Sequence, residues 1–306
     1  LSFQYNSNAD IKKITYKNVK IGYAALSSYI SPTRNMYPLF DEAFRQHFDA
    51  TLKATAITTD IFLAALDHCQ PDQVGIFNSR FTVSRPIYET CKHKGINVMV
   101  YETTGNVVNN RRLTYFYNNT PHGIVYNTEL IYQMWASDMV PENQKIEMAE
   151  RFFQNRRNAI PAGDRVYVKD QQQGLLPDGW DTKKHNIVIL NSSEDEFASL
   201  DEEFEGNLYP SQYEGIKDIF ERHKDNKEYH FYLRIHPNLK DIPYAYHKKL
   251  YELANISDNV TIIPGNSPIS TYGLIDAAEK IIVFGSTAGQ EAVYWGKPVI
   301  LLARAA

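Results

Sequence analysis

Two short stretches in the last third of the chain contain residue types suited to binding an anion. The first, at 234–237, reads Arg-Ile-His-Pro and follows an apolar run. The second, at 284–292, reads Phe-Gly-Ser-Thr-Ala-Gly-Gln-Glu-Ala and predicts the end of a strand, a turn of small residues and a helix that begins at Gln290. Such a helix start exposes unpaired backbone N–H groups at the positive end of the helix dipole. The second stretch therefore predicts a phosphate-binding site.

Side chains in the second stretch extend this prediction to a nucleotide. Ser286, Thr287 and Gly289 lie where phosphate oxygens would meet hydroxyl and backbone N–H groups. Glu291 would lie in the first helical turn, close enough to accept hydrogen bonds from ribose hydroxyls.

Residues at the ends of two other predicted strands could face the same ligand. His236 follows a strand-like run, and Arg234 lies one alternation before it, so both side chains point to the same side. Arg234 would either support His236 or bind phosphate. Ser192 and Ser193 also follow an apolar run and would either cap the next helix or face the donor. These residues together predict a nucleotide-sugar site.

The composition is typical of a globular protein and sets limits on its partners. The 306 residues are 43% hydrophobic and 22% charged, enough for two domains with separate cores. A net charge of −4 offers no broad basic surface, so no nucleic-acid partner is expected. Cys69 and Cys91 lack metal-ligand spacing, and we find neither a signal peptide nor an apolar run of membrane-spanning length. We expect a cytoplasmic protein, with peripheral association at the inner face of the membrane left open.

Alternating strand and helix patterns predict an α/β protein with parallel sheets. In the first half, strands are expected at 19–25, 74–77 and 96–101, helices at 37–66, 86–94 and 142–157, and a long loop at 106–127. In the second half, strands are expected at 187–190, 229–235, 260–263, 280–284 and 299–302, and helices at 213–224, 245–253, 269–278 and from 290. Met148 and Phe152 are expected to face the core. Arg85 could pair with a carboxylate or phosphate of a substrate but is expected to be exposed to solvent.

The turn-rich stretch 171–184 predicts a linker between two domains, an acceptor-side domain at 1–180 and a nucleotide-sugar-binding domain at 181–306. Because an open α/β domain normally continues with a covering helix, we expect the second domain to be truncated and the chain to be a fragment of a longer protein. Polar clusters follow the predicted strands, at 78–80, 102–105, 192–193, 236 and 286–287. Ligands of open α/β sheets bind outside the carboxyl ends of the strands. We therefore expect two parallel sheets that face each other across a cleft.

Several motifs, taken together, resemble those of one known family. They are Ser-Ser-Glu-Asp-Glu-Phe at 192–197, Arg-x-His-Pro at 234–237, Ile-Ser-Thr-Tyr-Gly-Leu-Ile-Asp-Ala-Ala at 269–278 and the stretch at 284–292. Phe-Asn-Ser-Arg at 77–80 is similar to a Phe-Asn-Gly-Arg element, with Ser79 in the place of glycine. The family is that of the bacterial capsule polysaccharide biosynthesis glycosyltransferases, which are related to capsule Kdo transferases. The resemblance covers most of the chain from Asp72 onwards and implies a GT-B-like fold of two Rossmann-like domains.

The resemblance also implies roles for residues of the second domain. His236 would contact the donor phosphate and assist the departing nucleotide. Ser286 and Thr287 would bind the phosphate, and Glu291 would bind the ribose. Enzymes of this fold generally use helix dipoles rather than a bound metal, so we expect neither a metal ion nor a cofactor. The acidic run at 194–196 is then expected to begin a helix rather than to hold a metal.

Transfer of a sugar also needs a base for the acceptor hydroxyl, and the first domain offers two candidates. Glu102 lies where relatives place two acidic residues before a glycine, although 103–105 reads Thr-Thr-Gly here. His122 is the other candidate, because imidazole titrates near neutral pH. Asn78 and Arg80 follow a predicted strand and are expected on the acceptor side, where Arg80 could pair with a carboxylate or phosphate.

We therefore expect a glycosyltransferase that moves a sugar from a nucleotide-sugar donor to a growing surface or capsular polysaccharide, on a glycan or glycolipid acceptor. CMP-Kdo, UDP-sugars and GDP-sugars stay open as donors. The signature at 284–292 is shared with hydrolysing UDP-N-acetylglucosamine 2-epimerases, which would need further acidic residues aimed at the sugar. A degenerate module that holds a glycan or nucleotide without turnover would also fit the departures at Ser79 and 103–104.

Overall fold

The computed structural model describes residues 1–103, 112–161, 166–205 and 208–303. Contacts between residues divide these into two units. The first unit contains 1–103, 112–132 and 195–205, and the second contains 133–161, 166–194 and 208–303. Each unit combines helices with a sheet that contains parallel strands, so the predicted α/β class is confirmed.

The described part of the first unit contains a group of helices and a small sheet. The helices are α1 (Asn8–Lys12), α2 (Ile21–Thr33), α3 (Glu42–Cys69) and α4 (Ser84–Lys94), and the strands are β1 (Gln73–Phe77), β2 (Asn97–Thr103) and β3 (Thr114–Tyr117). Strands β1 and β2 are parallel, whereas β3 is antiparallel to β2. Ile76, Val98 and Val100 of the sheet share a buried cluster with Cys91 of α4. The carboxyl ends of β1 and β2 therefore lie at the same edge of the sheet.

Two secondary-structure predictions for the first unit were wrong. Residues 21–33 form helix α2 instead of a strand at 19–25. The start of α2 is buried on all sides, so it lacks the polar face that gives a helix its periodic pattern. Gly22 permits this burial, because a Cβ there would lie 1.7 Å from the backbone oxygen of Ile11. The loop predicted at 106–127 contains β3 and the start of α5 (Ile124–Ala136), and its part at 106–111 lies outside the described residues.

The described part of the second unit is built on a five-stranded parallel sheet. Its strands are β4 (His185–Leu190), β5 (Tyr229–Arg234), β6 (Val260–Ile263), β7 (Lys280–Phe284) and β8 (Val299–Ala303). Its helices are α6 (Glu142–Arg157), α7 (Gln212–His223), α8 (Ala245–Glu252), α9 (Thr271–Ala277) and α10 (Ala288–Tyr294). These elements match the predicted ones in type and order. The strand order β6-β5-β4-β7-β8 reverses direction at β4, and such a reversal opens a crevice at the carboxyl ends of β4 and β7.

Both faces of this sheet are covered, as expected for parallel strands. Neighbouring residues of β4 point to opposite faces and enter different buried clusters. Ile189 belongs to one cluster with Phe220 of α7. Val188 belongs to the other cluster with Leu274 of α9 and Ala292 of α10. The sheet is thus held rigidly from two sides, which fixes the positions of its strand ends.

The stretch predicted as a linker, 171–184, packs on the sheet of the second unit. Trp180 stacks on Tyr232 of β5 with ring centroids 4.4 Å apart, and Leu176 packs against the same buried cluster. The prediction was wrong because the turn residues of this stretch are interspersed with apolar side chains that reach the core.

Helix α6 has the predicted bounds, but the predicted inward side chains were wrong. Met148 is 55% exposed and Phe152 is 41% exposed. Phe153 makes the inward contact instead, because its ring stacks on Tyr294 of α10 with centroids 4.0 Å apart. Two adjacent phenylalanines offer two candidate faces, and the helical pattern alone does not choose between them.

Ion pairs that each include one buried side chain bring the segment 195–205 into the first unit. Arg85 is buried rather than exposed to solvent, and it donates to Glu89 at 2.6 Å, to the Leu200 carbonyl oxygen at 2.7 Å and to Asp201 at 2.8 Å. Arg34 pairs with Asp195, which is itself buried. The contact-based units therefore divide the chain at other positions than residue 180, and the domains 1–180 and 181–306 stay a prediction.

Cys69 is exposed and Cys91 is buried, and burial raises the pKa of the Cys91 thiol to about 11. None of the helices in the described ranges is long and apolar enough to cross a membrane. The cytoplasmic location stays a prediction.

We predict that Gly215→Ala will destabilise the second unit. A Cβ at Gly215 would lie 2.6 Å from Cε1 of Phe284 and 2.8 Å from Cδ2 of Tyr209, so α7 would have to move away from β7. Overpacking costs more than the gain in helix propensity, so we expect a net loss of about 1–2 kcal/mol in the free energy of unfolding, measured in urea. Gly75→Ala is the control, because a Cβ there meets no atom within 4 Å. Equal stability of the Gly215 variant and the wild type would contradict this close packing.

Candidate functional site

A pocket of about 100 Å³ lies at the carboxyl ends of β5 and β7 in the second unit. His236, which follows β5, lines this pocket together with Ser286, Thr287 and Glu291, which follow β7. The fold therefore brings together residues from both motifs that the sequence singled out. The pocket also lies next to the reversal of strand order, where ligands of such sheets bind.

The imidazole of His236 is held in a defined orientation. Its backbone N–H donates to Asn191 Oδ1 at 2.8 Å, and its Nδ1 accepts the backbone N–H of Asn238 at 3.2 Å. The ring also packs edge-to-face on Tyr167, with centroids 4.8 Å apart. Because Nδ1 is an acceptor, the neutral ring carries its proton on Nε2. His236 is thus set up to donate a hydrogen bond from Nε2.

The turn between β7 and α10 places hydroxyl groups beside the pocket. Gly285 has a φ of 72°, a conformation that favours glycine, and it turns the chain sharply after the strand. Ser286 Oγ accepts the backbone N–H of Ala288 at 3.4 Å. Gly289 does not line the pocket, because it faces β7, where a Cβ would lie 2.8 Å from Cγ2 of Val283. The role of Gly289 in this geometry is close packing of the helix on the strand.

Glu291 is buried at the pocket wall and is held by two neighbours. Arg156 of α6 donates from Nε and Nη2 to Oε1, each at 3.0 Å, and the hydroxyl of Tyr272 donates to Oε2. Burial, followed by the charge of Glu291, raises the pKa of the Tyr272 phenol, so the phenol stays protonated and remains a donor. The carboxylate is thereby fixed in position, and Oε2, which accepts only the Tyr272 hydroxyl among the described residues, keeps lone-pair capacity for a ligand hydroxyl.

Three other predicted donor residues lie near the strand ends but are engaged in the fold. Arg234 is buried, and its guanidinium donates to the carbonyl oxygens of Pro264 at 2.7 Å and Ser267 at 3.1 Å. Burial lowers its pKa to about 10. Ser192 Oγ donates to the carbonyl oxygen of Phe284 at 2.8 Å. The third residue, Ser193, has its Oγ 3.4 Å from Nδ1 of His236, which lines the pocket. None of the three is itself among the described residues that line the pocket.

Gln171 lines the pocket and carries an unusual feature. Its Oε1 accepts the backbone N–H of Thr271 at 2.7 Å. Its Nε2 is buried and has no hydrogen-bond partner among the described residues. A buried donor without a partner costs about 1–3 kcal/mol, so such a group calls for an explanation.

Sequence reasoning missed Gln171, Arg156 and Tyr272. Gln171 lay in the stretch interpreted as a linker, and Arg156 lay at the charged end of an amphipathic helix. Only Tyr272 lay within a motif already noted, at 269–278. No local signal marks the other two, because they join the site through contacts with residues about one hundred or more positions away.

A second group of predicted residues meets in the first unit, at the carboxyl ends of β1 and β2. The side-chain amide of Asn78 donates to Glu102 Oε1, and the same Nδ2 lies 3.4 Å from His122 Nε2. Arg80 donates to the carbonyl oxygen of Glu196 at 3.2 Å, and Arg80 and His122 line a cavity of about 210 Å³. The fold thus brings Asn78, Glu102 and His122 into one cluster. Thr104 and Gly105 lie outside the described residues.

The environment of this cluster changes the proton affinity of its members. Burial raises the pKa of Glu102, and this effect exceeds the opposing influence of Asn78 and Arg80. Burial, followed by the charge of Arg80, lowers the pKa of His122 to about 4. His122 is therefore neutral at pH 7 and a weak base. Glu102 is the better candidate for a general base, because its pKa is shifted towards neutrality.

The turn after β1 is strained at two consecutive residues. Asn78 has a φ of 64° and Ser79 a φ of 70°, in the left-handed region that residues other than glycine seldom adopt. The strain places the Asn78 amide against Glu102. It also gives a physical reason for the glycine that the similar family element carries at the position of Ser79.

The acidic run at 194–196 forms a short 3₁₀ turn rather than an α-helix. Asp195 is paired with Arg34, and Glu194 accepts the backbone N–H of Gln212 at 3.2 Å. Ser192 hydrogen-bonds to Gln212 and Phe284 rather than to this turn. In the ranges that the structure describes, no three His, Cys, Asp or Glu side chains are grouped to hold a metal ion. Metal independence stays a prediction.

We predict that His122 makes the stability of the protein sensitive to mild acid. The imidazole has a pKa of about 4 in the folded chain and an ordinary value of about 6.5 when unfolded. The unfolded chain therefore binds a proton at His122 more readily than the folded chain, and the folded state is destabilised as the pH falls from 6.5 towards 4. Between pH 7 and pH 5, the free energy of unfolding of His122→Gln should fall by about 2 kcal/mol less than that of the wild type, measured by urea denaturation.

The matched control is His47→Gln, which makes the same substitution at a histidine exposed to solvent. Glu102 acts in the opposite direction, since a raised carboxyl pKa favours the folded state at low pH, but it is present in every variant compared. Identical pH dependence in His122→Gln and the wild type would contradict the burial of a neutral imidazole.

Comparison with known proteins gives weak similarity only. No protein-family model matches the chain, and no curated protein matches it. Solved structures similar to it include the β-Kdo 2,7-transferase of KpsC from Thermosulfurimonas dismutans, with 19% identity over 80% of this chain and 69% of that chain and a TM-score of 0.42. The β-Kdo 2,4-transferase of KpsC from the same organism shows 14% identity over 76% of this chain and 70% of that chain, with a TM-score of 0.45.

A UDP-GlcNAc 2-epimerase from Neisseria meningitidis, solved with UDP-GlcNAc bound, is also similar, with 16% identity over 89% of this chain and 66% of that chain and a TM-score of 0.31. Each TM-score lies below 0.5, so these likenesses carry no argument about activity. The α/β class follows from the strand order and register of the chain itself.

Proposed function

We propose that this chain is a glycosyltransferase that moves a sugar from a nucleotide-sugar donor to a growing surface or capsular polysaccharide. One observation carries the proposal. In the second unit, His236, Ser286, Thr287 and Glu291 line a single pocket beside the reversal of strand order in a parallel sheet. The pocket combines a ring N–H donor, two hydroxyl groups and a fixed carboxylate, which are the groups that a phosphate and a ribose need.

The proposed donor site stabilises the leaving nucleotide. His236 would donate from Nε2 to a phosphate oxygen, where negative charge grows as the glycosidic bond to the donor breaks. The hydroxyl groups of Ser286 and Thr287 would donate to the same phosphate. Glu291, held by Arg156 and Tyr272, would accept hydrogen bonds from the ribose. Fixed donors of this kind are effective because they need no reorganisation during the reaction.

The proposed acceptor site is the cluster in the first unit. Glu102 would take the proton of the acceptor hydroxyl, because its raised pKa suits it to that task better than the lowered pKa of His122. Asn78 would hold Glu102 in place, and Arg80 would pair with an anionic group on a substrate. The acceptor would be a glycan or glycolipid, as the family resemblance implies. The base of the donor nucleotide is left to experiment.

Nucleotide binding is the first test. CMP, UDP and GDP should be titrated by calorimetry into the wild type and into His236→Asn, where the amide oxygen can replace Nδ1 as acceptor for Asn238 while the Nε2 donor is lost. We expect one nucleotide to bind and its affinity to fall about ten-fold in the variant, as for a hydrogen bond to a charged group.

The matched control is His185→Asn, because His185 lies at the amino end of β4, away from the pocket. This variant should bind as the wild type does. Absence of binding by all three nucleotides would overturn the proposed donor site.

A second test addresses catalysis. Glu102→Gln keeps the acceptor oxygen for the Asn78 amide but removes the base, so the rate of sugar transfer should fall by about 10²-fold or more. Nucleotide affinity should not change, because Glu102 is not among the described residues that line the donor pocket. Transfer would be measured as nucleotide release in the presence of a glycan acceptor. Undiminished transfer in Glu102→Gln would exclude Glu102 as the base and direct attention to His122.

A further inference from the structure

We propose that Gln171 selects the base of the bound nucleotide by donating a hydrogen bond from its side-chain amide to a carbonyl oxygen of that base. This inference rests on the proposed nucleotide-sugar function of the pocket in the second unit. It adds to that function a residue that determines specificity and a class of bases that the site accepts.

The orientation of the Gln171 amide is fixed by its neighbour. A backbone N–H can only donate, and that of Thr271 lies 2.7 Å from one end of the amide, so this end is the oxygen. The other end is therefore the NH₂ group. Of the buried side-chain atoms without a partner in the described ranges, only Nε2 of Gln171 belongs to a residue that lines this pocket. The NH₂ group is therefore a buried donor without a partner in the described ranges, on a residue that lines the pocket, while the oxygen is turned to the Thr271 N–H.

The backbone around Gln171 is anchored, so the amide is positioned before a ligand arrives. The N–H of Gln172 donates to the Pro268 carbonyl oxygen at 2.8 Å, and the N–H of Ser270 donates to the Leu175 carbonyl oxygen at 2.9 Å. These bonds tie the two chain segments together on both sides of the contact between Gln171 and Thr271. A donor held in this way loses little conformational entropy when it binds.

The surroundings of Gln171 suit a flat base better than a sugar. Phe152, Val168 and Ile275 line the pocket with apolar side chains. A sugar ring carries several hydroxyl groups, each of which needs a partner when buried. A base instead buries two apolar faces and requires hydrogen-bond partners only at its edge, which apolar side chains beside an amide donor can provide.

The donor character of Gln171 predicts which bases are accepted. Uracil, cytosine and guanine each carry a carbonyl oxygen that can accept from an NH₂ group. Adenine has none, and glutamine pairs with it by using both ends of the amide. That pairing would require the oxygen, which already accepts from the Thr271 N–H, to accept a second hydrogen bond from the base, so it is disfavoured here. The site should therefore take nucleotides with a carbonyl-bearing base and discriminate against adenine nucleotides.

The matched substitution is Gln171→Glu, which keeps an oxygen for the Thr271 N–H and replaces the NH₂ group with a second oxygen. Calorimetry would compare UDP, CDP, GDP, ADP and inorganic pyrophosphate on the wild type, Gln171→Glu and His236→Asn. The wild type should bind one carbonyl-bearing nucleotide about ten-fold or more tightly than ADP. Gln171→Glu should lose that preference and bind pyrophosphate as the wild type does. His236→Asn should weaken the binding of both the nucleotide and pyrophosphate.

The possible results distinguish the role of Gln171 from the proposed donor site. Unchanged nucleotide affinity in Gln171→Glu, with a loss in His236→Asn, would overturn the role of Gln171 and leave the proposed donor site standing. Equal losses for nucleotide and pyrophosphate in Gln171→Glu would show charge repulsion instead of base reading and would also overturn it. If no nucleotide binds to the wild type, both this inference and the proposed function fail. Thermal unfolding of the two variants serves as the folding control.

Discussion

The candidate site of the second unit depends on a hydrogen-bonded crosslink at the carboxyl ends of two parallel strands. Ser192 Oγ donates to the carbonyl oxygen of Phe284 at 2.8 Å and accepts from Gln212 Nε2 at 2.9 Å, while the N–H of Ser192 donates to Gln212 Oε1 at 2.9 Å. The crosslink ties β4, β7 and α7 together beyond the last paired residues of the strands. Because the chain turns into the pocket directly after Phe284, the positions of Ser286 and Thr287 follow from this bond network.

The two units differ in how they hold their polar side chains. In the second unit the groups are neutralised and fixed, as where Arg156 and Tyr272 hold Glu291. In the first unit the polar cluster is left partly uncompensated, since burial shifts the proton affinities of Glu102 and His122 and the turn beside them is strained. A fixed environment suits recognition of a charged ligand, whereas a perturbed one suits proton transfer. This division is the reason for proposing a donor role for the pocket of the second unit and an acceptor role for the cluster of the first.

The strand framework of the second unit could be predicted from sequence, and much of the site chemistry could not. Strand β7 is buried on both faces and appears as an uninterrupted apolar run, so the sequence pattern marks its bounds. Glu291 follows it at a spacing that marks a helix start. Arg156, by contrast, is connected to Glu291 only through folding across 135 positions. The same limit explains the wrong prediction for Arg85, whose burial depends on Asp201, 116 positions away.

The placement of the segment 195–205 also determines how the gene can be divided. A clone that ends at residue 180 would encode Arg85 and Arg34 but not their acidic partners Asp201 and Asp195. Arg85 would then keep Glu89 but lose Asp201, and Arg34 would lose its pairing with Asp195, which would destabilise the first unit. Recombinant production of the first unit alone would therefore require the codons for 195–205 to be joined to it. The chain is better expressed as one open reading frame than as two.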